Sequence, residues 1–194
     1  MQQLRKESLK SSQLRLQPVT RDVVRLFVQK HHSHHHRPNT YIAAVGVSNE
    51  VGLVCVAVLE IPRARMLCNG TTAEVSRVAS DGSTNNAASM ACGAISRAAL
   101  ALGYTRLVSY TILGEPGTMY RASNWHPTAL STGGEWGRPS RPLLQKSNQT
   151  GEKVRWEYGP DAAPADPSVD AIVREFAGKV EIPGRNDTLP LFGT

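Results

Sequence analysis

Residues 72–104 hold the densest set of residues able to do chemistry. Thr72 to Ser80 alternates apolar and polar positions, Asp81-Gly82-Ser83-Thr84-Asn85-Asn86 is a run of turn formers, and Ala87 to Leu102 is rich in Ala, Met, Ile and Leu. A strand that passes through small polar residues into a helix can hold phosphate. The first turn of the helix leaves backbone N–H groups unpaired, and the helix dipole favours an anion there. Gly82, Ser83, Thr84, Asn85, Asn86 and Ala87 are the candidate cradle, small enough for a pyrophosphate to approach the backbone. No Gly-Lys-Ser/Thr follows, so it is not a Walker loop, and the Rossmann fingerprint is also absent. Many polar strand-helix turns hold nothing, and that reading of the turn stays open beside the first.

Other residues could act near such a cradle. Ser89 stands early in the helix, either facing a bound group or bonding back to its own turn. Glu74 and Arg77 are three apart on the strand, so they face opposite sides unless a bulge intervenes. Arg77 could orient substrate or phosphate, or simply close a salt bridge. Glu115 begins a turn and could serve as a base or as a charge on a helix dipole. The run His31, His32, His34, His35 and His36 offers neutral imidazoles for proton transfer, phosphate contact or metal binding. Its spacing matches no standard zinc motif, so His32 on the substrate side is the stronger assignment and no metal ligand is assigned. Trp136, Arg138, Arg141, Arg155 and Trp156 interleave aromatic and basic residues, which suits base stacking and phosphate contact. The competing reading makes the tryptophans core anchors, above all Trp156.

These groups need a scaffold. A strand is expected within Leu14 to Val19, a helix over Arg21 to Lys30 with Thr20 as its N-cap, and strands at Tyr41 to Val47 and Val51 to Leu59 around Ser48-Asn49-Glu50. The helix after the cradle should end at Gly103. Arg106 to Ile112 reads as a strand, Gly117 to Asn124 as a short helix, and Arg155 to Tyr158 as a last short strand. That order implies an α/β fold, a mixed central sheet with helices on both faces. Residues 1–160 read as one domain, and residues 161–194 as an Ala/Pro/Asp linker and tail with a short helix within Val169 to Ala177.

The chain has 194 residues, enough for one sizeable core, and a formal net charge of +6 concentrated in the N-terminal 37 residues and in 138–155. Such basic stretches suit a polyanion, with nucleic acid the first candidate. No apolar run reaches the roughly 20 residues of a membrane span, and residues 1–16 lack the apolar segment of a secretory signal. Three cysteines, an odd number without metal spacing, fit reduced thiols and a cytoplasmic location.

Taken together, Glu74-Val-Ser-Arg77-Val, the turn and helix, Leu107-Val-Ser-Tyr-Thr111 and Tyr120-Arg-Ala-Ser-Asn-Trp125 resemble the GNAT superfamily of acyltransferases. The resemblance implies that the turn binds the pyrophosphate of acetyl-CoA or a related acyl donor. It also implies that Tyr120, five residues before the aromatic Trp125, protonates the departing thiolate. Asn124 stands where the superfamily usually has glycine, which a left-handed position tolerates. Asp81 to Ser89 keeps only Gly82 of the usual Gln/Arg-x-x-Gly-x-Gly/Ala loop. Arg63-Ala-Arg65, Glu74-x-x-Arg77, Glu115-x-Gly117, Trp136-x-Arg138-Pro139-Ser140-Arg141 and Val154-Arg-Trp156 look like a phage- and prophage-borne GNAT-like family spanning about Leu14 to Tyr158. More distantly, His32 with Pro38-Asn39, Glu74-x-x-Arg77-Val-Ala, Ser89, Glu115-x-Gly117 and Tyr120-x-Ala-x-x-Trp125 are similar to the Mom DNA-modification proteins of phage Mu type. That likeness implies acyl transfer to a DNA base, adenine above all, and protection from restriction. A small-amine or protein acetyltransferase and a binding module without catalysis are the rival implications.

Overall fold

The chain enters the sheet with a short strand, β1 (Arg15–Gln17), and turns into helix α1 (Arg21–His31). Thr20 caps that helix as expected: its carbonyl accepts the Val24 N–H at 3.0 Å, and its hydroxyl lies 3.4 Å from the Val23 nitrogen. The computed structural model describes residues 13–31, 40–131 and 152–179. Strands β2 (Ala43–Ser48) and β3 (Leu53–Glu60) follow, joined where the Asn49 side chain accepts the N–H groups of Val51 and Gly52. After a 3₁₀ turn at Arg65–Leu67 come β4 (Thr72–Ser80) and helix α2 (Ala87–Ala101). Gly103, at φ +94°, ends α2: its N–H reaches the Leu100 carbonyl, and the Tyr104 N–H reaches that of Ala99. Strand β5 (Arg106–Ile112), helix α3 (Thr118–Ala122), strands β6 (His126–Ser131) and β7 (Lys153–Tyr158), and helix α4 (Pro167–Phe176) complete the order.

The seven strands form one sheet in the order β1-β2-β3-β4-β5-β7-β6. Every neighbouring pair is antiparallel except β4 and β5, which run parallel and pair only from Thr72–Glu74 to Arg106–Val108. β3 lies near the middle, and its apolar run is buried on both faces. Cys55, Ala57 and Leu59 pack in the cluster that contains Ala91, Cys92, Ile95 and Ala99 of α2. Val56 and Val58 pack with Val24 and Val28 of α1. Helices therefore cover both faces, as the sequence implies. Each such buried valine contributes about 1.5–3 kcal/mol over its exposed state.

Strand β6 is absent from the sequence reading. Pro127 argues against a strand there, and only an edge position tolerates it. β6 is such an edge, and its register with β7 shifts between Pro127 and Ala129. The short helix expected within Val169 to Ala177 forms as α4. Asp166 caps α4 by accepting the N–H groups of Ser168 and Val169, Pro167 opens the helix, and Val169 and Val173 join the main core. The carboxylate of Glu157, buried to 0 % exposure, fastens this region. It accepts two bonds from Arg106 (2.8 and 2.7 Å) and one each from the Ala163 N–H (2.8 Å) and the Thr128 hydroxyl (3.1 Å), and pairs with Arg155 at 2.9 Å. Burial works against its charge, but the bonds from Arg106 and Ala163 prevail and hold it below the ordinary glutamate range.

Candidate active site

The turn from β4 to α2 is braced on both sides. The Asp81 N–H continues the ladder to the Val54 carbonyl, the Asp81 carboxylate accepts the N–H and hydroxyl of Ser83, and Asn49 donates to the Thr84 hydroxyl at 3.0 Å. Gly82 (φ +76°) and Asn86 (φ +65°) take left-handed conformations that aim the chain into the helix. The Asn86 side chain makes no cap bond, and the first helical bond runs from the Met90 N–H to the Asn86 carbonyl. The N–H groups of the first turn, beginning with buried Ala87, therefore have no helical acceptor, as at any helix N-terminus. Asp81 is the turn's one ionisable residue and no basic residue lies between 81 and 87, so attraction rests on the backbone donors and the helix dipole. Ser89 takes the bland alternative: its hydroxyl donates back to the Asn86 carbonyl at 3.0 Å, and its own carbonyl accepts Ser123 of the α3 end.

β4 carries the bulge that Glu74 and Arg77 need. Val58 faces Arg77 and Leu59 faces Val75, so Ser76 is an extra residue and the alternation resets. Glu74 opposes Glu60, and both Glu60 and Val58 are even positions of β3; Glu74 and Arg77 therefore share the α1 face. Glu74 is 7 % exposed and accepts the Arg63 N–H at 3.0 Å; burial is the main cause holding its carboxyl above the usual range. Arg77, 5 % exposed, donates to the Ser76 carbonyl at 2.8 Å, while its buried Nε has no partner among the described residues. Burial, then the charge of Arg63, lowers its pKa to about 10, leaving it protonated at neutral pH.

Past Glu74 and Val108 the parallel strands part, and the β5-facing edge of β4 has no strand partner from Val75 onward among the described residues. Tyr120 stands at this opening. Its helix begins at Gly117 (φ +64°) and closes on Asn124 (φ +62°), whose left-handed conformation fits the sequence expectation; the Trp125 N–H bonds back to the Tyr120 carbonyl. The Tyr120 ring packs on Trp156 (5.2 Å) and Trp125 (5.5 Å), and its hydroxyl meets the Ser109 hydroxyl at 2.6 Å. Burial pushes this phenol far above its ordinary pKa, against the Ser109 bond that lowers it. Glu115 is half-buried in the β5–α3 turn, its N–H on the Ile112 carbonyl, close enough for its charge to raise the Tyr120 pKa further.

The cradle, Ser89 and Tyr120 therefore lie on the α2 side of the sheet, and Glu74 with Arg77 on the α1 side, either side of the parted strands. His32, Arg138, Arg141 and Trp136 fall outside the described residues. His31 ends α1, its ring 4.5 Å from that of Phe27. Trp156 is fully buried in the core and donates to Thr111, while part-exposed Arg155 is taken up by its ion pair with Glu157. Among the described residues no cluster of His, Cys, Asp and Glu is set to hold a metal ion. The sequence reading assigns Ser109 no role; its burial at 2 % exposure shows only once β5 is placed between β4 and β7.

No protein-family model matches the chain, and no curated protein matches it by sequence. Solved structures do. An IAA acetyltransferase from Bacillus cereus superposes with a TM-score of 0.57 at 10 % identity, covering 76 % of this chain and 99 % of its own. A Bacillus subtilis acetyltransferase in complex with CoA gives 0.51 at 13 % identity, covering 76 % and 98 %. The polyamine N-acetyltransferase of Drosophila melanogaster, which forms N-acetylagmatine, gives 0.55 at 9 % identity, covering 76 % and 100 %. The fold is that of the GNAT acetyltransferases. On this GNAT scaffold the cradle lies between β4 and α2, and Tyr120 reaches the point where β4 and β5 separate. No helix among the described residues is long and apolar enough to cross a membrane.

Proposed function

We propose that this chain is an acyltransferase that moves an acyl group from an acyl-CoA to an amino group. The observation that carries the reading is the Tyr120 hydroxyl at the apex of the parted strands, joined along the open β4 edge to an uncapped helix N-terminus. The first turn of α2, with Gly82, Ser83, Thr84, Asn85, Asn86 and Ala87, fits the donor's pyrophosphate. From Ser76 to Ser80 the strand offers roughly 16 Å of edge without a strand partner among the described residues, at about 3.3 Å per residue, for the arm that ends in the thioester. That a structural neighbour was solved with CoA supports this donor. An amine entering from the α1 face attacks the carbonyl carbon. Glu74, whose raised pKa suits a base, takes its proton, Arg77 orients the acceptor, and Tyr120 protonates the leaving thiolate. Glu115 and Ser89 border this arrangement as secondary candidates, and His32 is a third proposed from the sequence.

For the acceptor we propose the amino group of a DNA base, adenine foremost, as part of a phage-borne defence against restriction. The Mom-like residue set and the net charge of +6 support this, and Glu74 and Arg77 now share one face. Arg138 and Arg141 would hold phosphate. Such a base must be flipped or single-stranded. A small amine or a protein amino group is the second reading, favoured by neighbours such as the polyamine acetyltransferase. Nucleoside mass analysis of plasmid DNA from cells making the wild-type chain or Tyr120→Phe separates the two. A new nucleoside absent from the control establishes DNA; unaltered nucleosides with abundant protein refute it. Cofactor binding without turnover would instead mark a module that has lost catalysis.

A further inference from the structure

Ser109 is the first residue of β5 beyond the paired seam, and it is 2 % exposed. Where the backbone ladder to β4 stops, its side chain makes the next link: the hydroxyl lies 2.7 Å from the Val75 carbonyl and 2.6 Å from the Tyr120 hydroxyl. A carbonyl brings no proton, so Ser109 donates to Val75. A serine hydroxyl has one proton, so Tyr120 must be the donor to Ser109. At rest the phenol's proton therefore points at Ser109 and not into the opening between the strands.

That arrangement bears on acid catalysis at this site, and the inference rests on the acyl-transfer reading. When the amine nitrogen bonds to the acyl carbon and the C–S bond breaks, its electron pair stays on sulfur. Sulfur then takes the proton from the Tyr120 oxygen, leaving a phenolate in a buried site. The attacking nitrogen releases a proton, which returns to the phenolate through solvent or base, so that amide and free thiol are the net products. We propose that Ser109 is a positioning residue that swings its own O–H from the Val75 carbonyl to the Tyr120 oxygen, holding the phenolate during thiolate protonation. Burial, which raises the Tyr120 pKa, makes that donor necessary; the Ser109 bond is the first influence acting the other way. The Val75 carbonyl at the bulge sets the resting position of the switch.

The test follows loss of thioester absorbance from acetyl-CoA by the full chain, with water, spermidine or plasmid DNA as acceptor. Wild type, Ser109→Ala, Ser109→Thr and Tyr120→Phe are compared. A hydrogen bond to a charged group is worth about 1.5–3 kcal/mol, so Ser109→Ala should lose about 10- to 150-fold in kcat at unchanged KM for acetyl-CoA. Ser109→Thr, which keeps the hydroxyl, should recover most of it. Added to Tyr120→Phe, Ser109→Ala should cost nothing more. A kcat within twofold of wild type for Ser109→Ala, or an equal further loss on the Tyr120→Phe background, overturns the assignment while leaving acyl transfer standing. No thioester loss by the wild type with any of the three acceptors overturns both. Tyrosine ¹³Cζ NMR adds a readout independent of turnover: the Tyr120 resonance, assigned by its absence in Tyr120→Phe, should move in Ser109→Ala and stay near wild type in Ser109→Thr. An unmoved resonance overturns the hydrogen bond itself.

Discussion

Gly117 offers a stability experiment whose magnitude the structure sets. It opens the Tyr120 helix at φ +64°, and a Cβ built on it overlaps the Cζ2 and Cη2 atoms of Trp156. Trp156 has little room to yield, being fully buried, bonded to Thr111 at 3.0 Å, stacked on Tyr120 and covered by the Arg121 guanidinium. Gly117→Ala thus meets two costs: about 1–2 kcal/mol for a non-glycine residue in the left-handed region, and about 1–3 kcal/mol for overpacking. The sum, about 2–5 kcal/mol, corresponds to roughly 5–15 °C in Tm for a chain of this length. Gly82→Ala is the control, since Gly82 has φ +76° but nothing within 4 Å of its added Cβ. It should lose only the backbone cost of about 1–2 kcal/mol. Urea unfolding of the two variants against wild type measures the difference, which isolates the Trp156 overlap. Equal losses in the two would refute the claim that Trp156 is immovable, and with it the view that this ring sets where Tyr120 stands.

Glu157→Gln should cost about 3–5 kcal/mol at pH 7, because Arg106 and Arg155 lose their buried partner. The folded-state pKa of Glu157 lies below its unfolded value near 4.3, so its contribution is full above that value and fades as pH falls through the folded pKa. Urea midpoints from pH 7 down to pH 3 should therefore converge for wild type and Glu157→Gln at the acid end; a constant gap would contradict this. Asp166→Ala should remove the α4 cap, seen as faster amide exchange in Ser168 and Val169. Native protein should react quickly with a thiol reagent at Cys68 alone among its three cysteines, since burial pushes the Cys55 and Cys92 thiols up to about 12 and 11. Urea should expose all three.

Much of this architecture is legible in the residues because local signals agree there. Thr20, Gly103 and Asn124 each mark a helix end by a side chain or a left-handed backbone that only a few residue types supply, and all three stand at such ends in the structure. The strand-turn-helix at 72–102 could be read for the same reason. β6 could not, because Pro127 erases the strand signal and only its place beside β7 rescues it. The bulge at Ser76 was foreseeable as a condition but not as a fact, since a register slip depends on the neighbouring strand rather than on β4. The link from Tyr120 through Ser109 to Val75 joins residues 34 and 11 positions apart, a distance no local pattern reports.

The lone parallel seam has a consequence for how the chain is assembled. β1 to β4 form a meander from residues 15–80, and residues 106–158 form a second antiparallel unit in which β7 lies between β5 and β6, with α2 packed on the first. Three rungs and the Ser109 bridge join the two units within the sheet, and Ser123 and Trp125 add bonds to Ser89 and Ser96 of α2. The first unit pairs strands that follow one another in the chain and can close on the ribosome before the second has been synthesised, whereas β5 must wait for β7, since Leu107 pairs with Tyr158. Cutting the backbone between Gly103 and Thr105 should leave two fragments that find each other again. Restored thioester cleavage on mixing them would make the seam a natural place to divide this protein into a complementation pair.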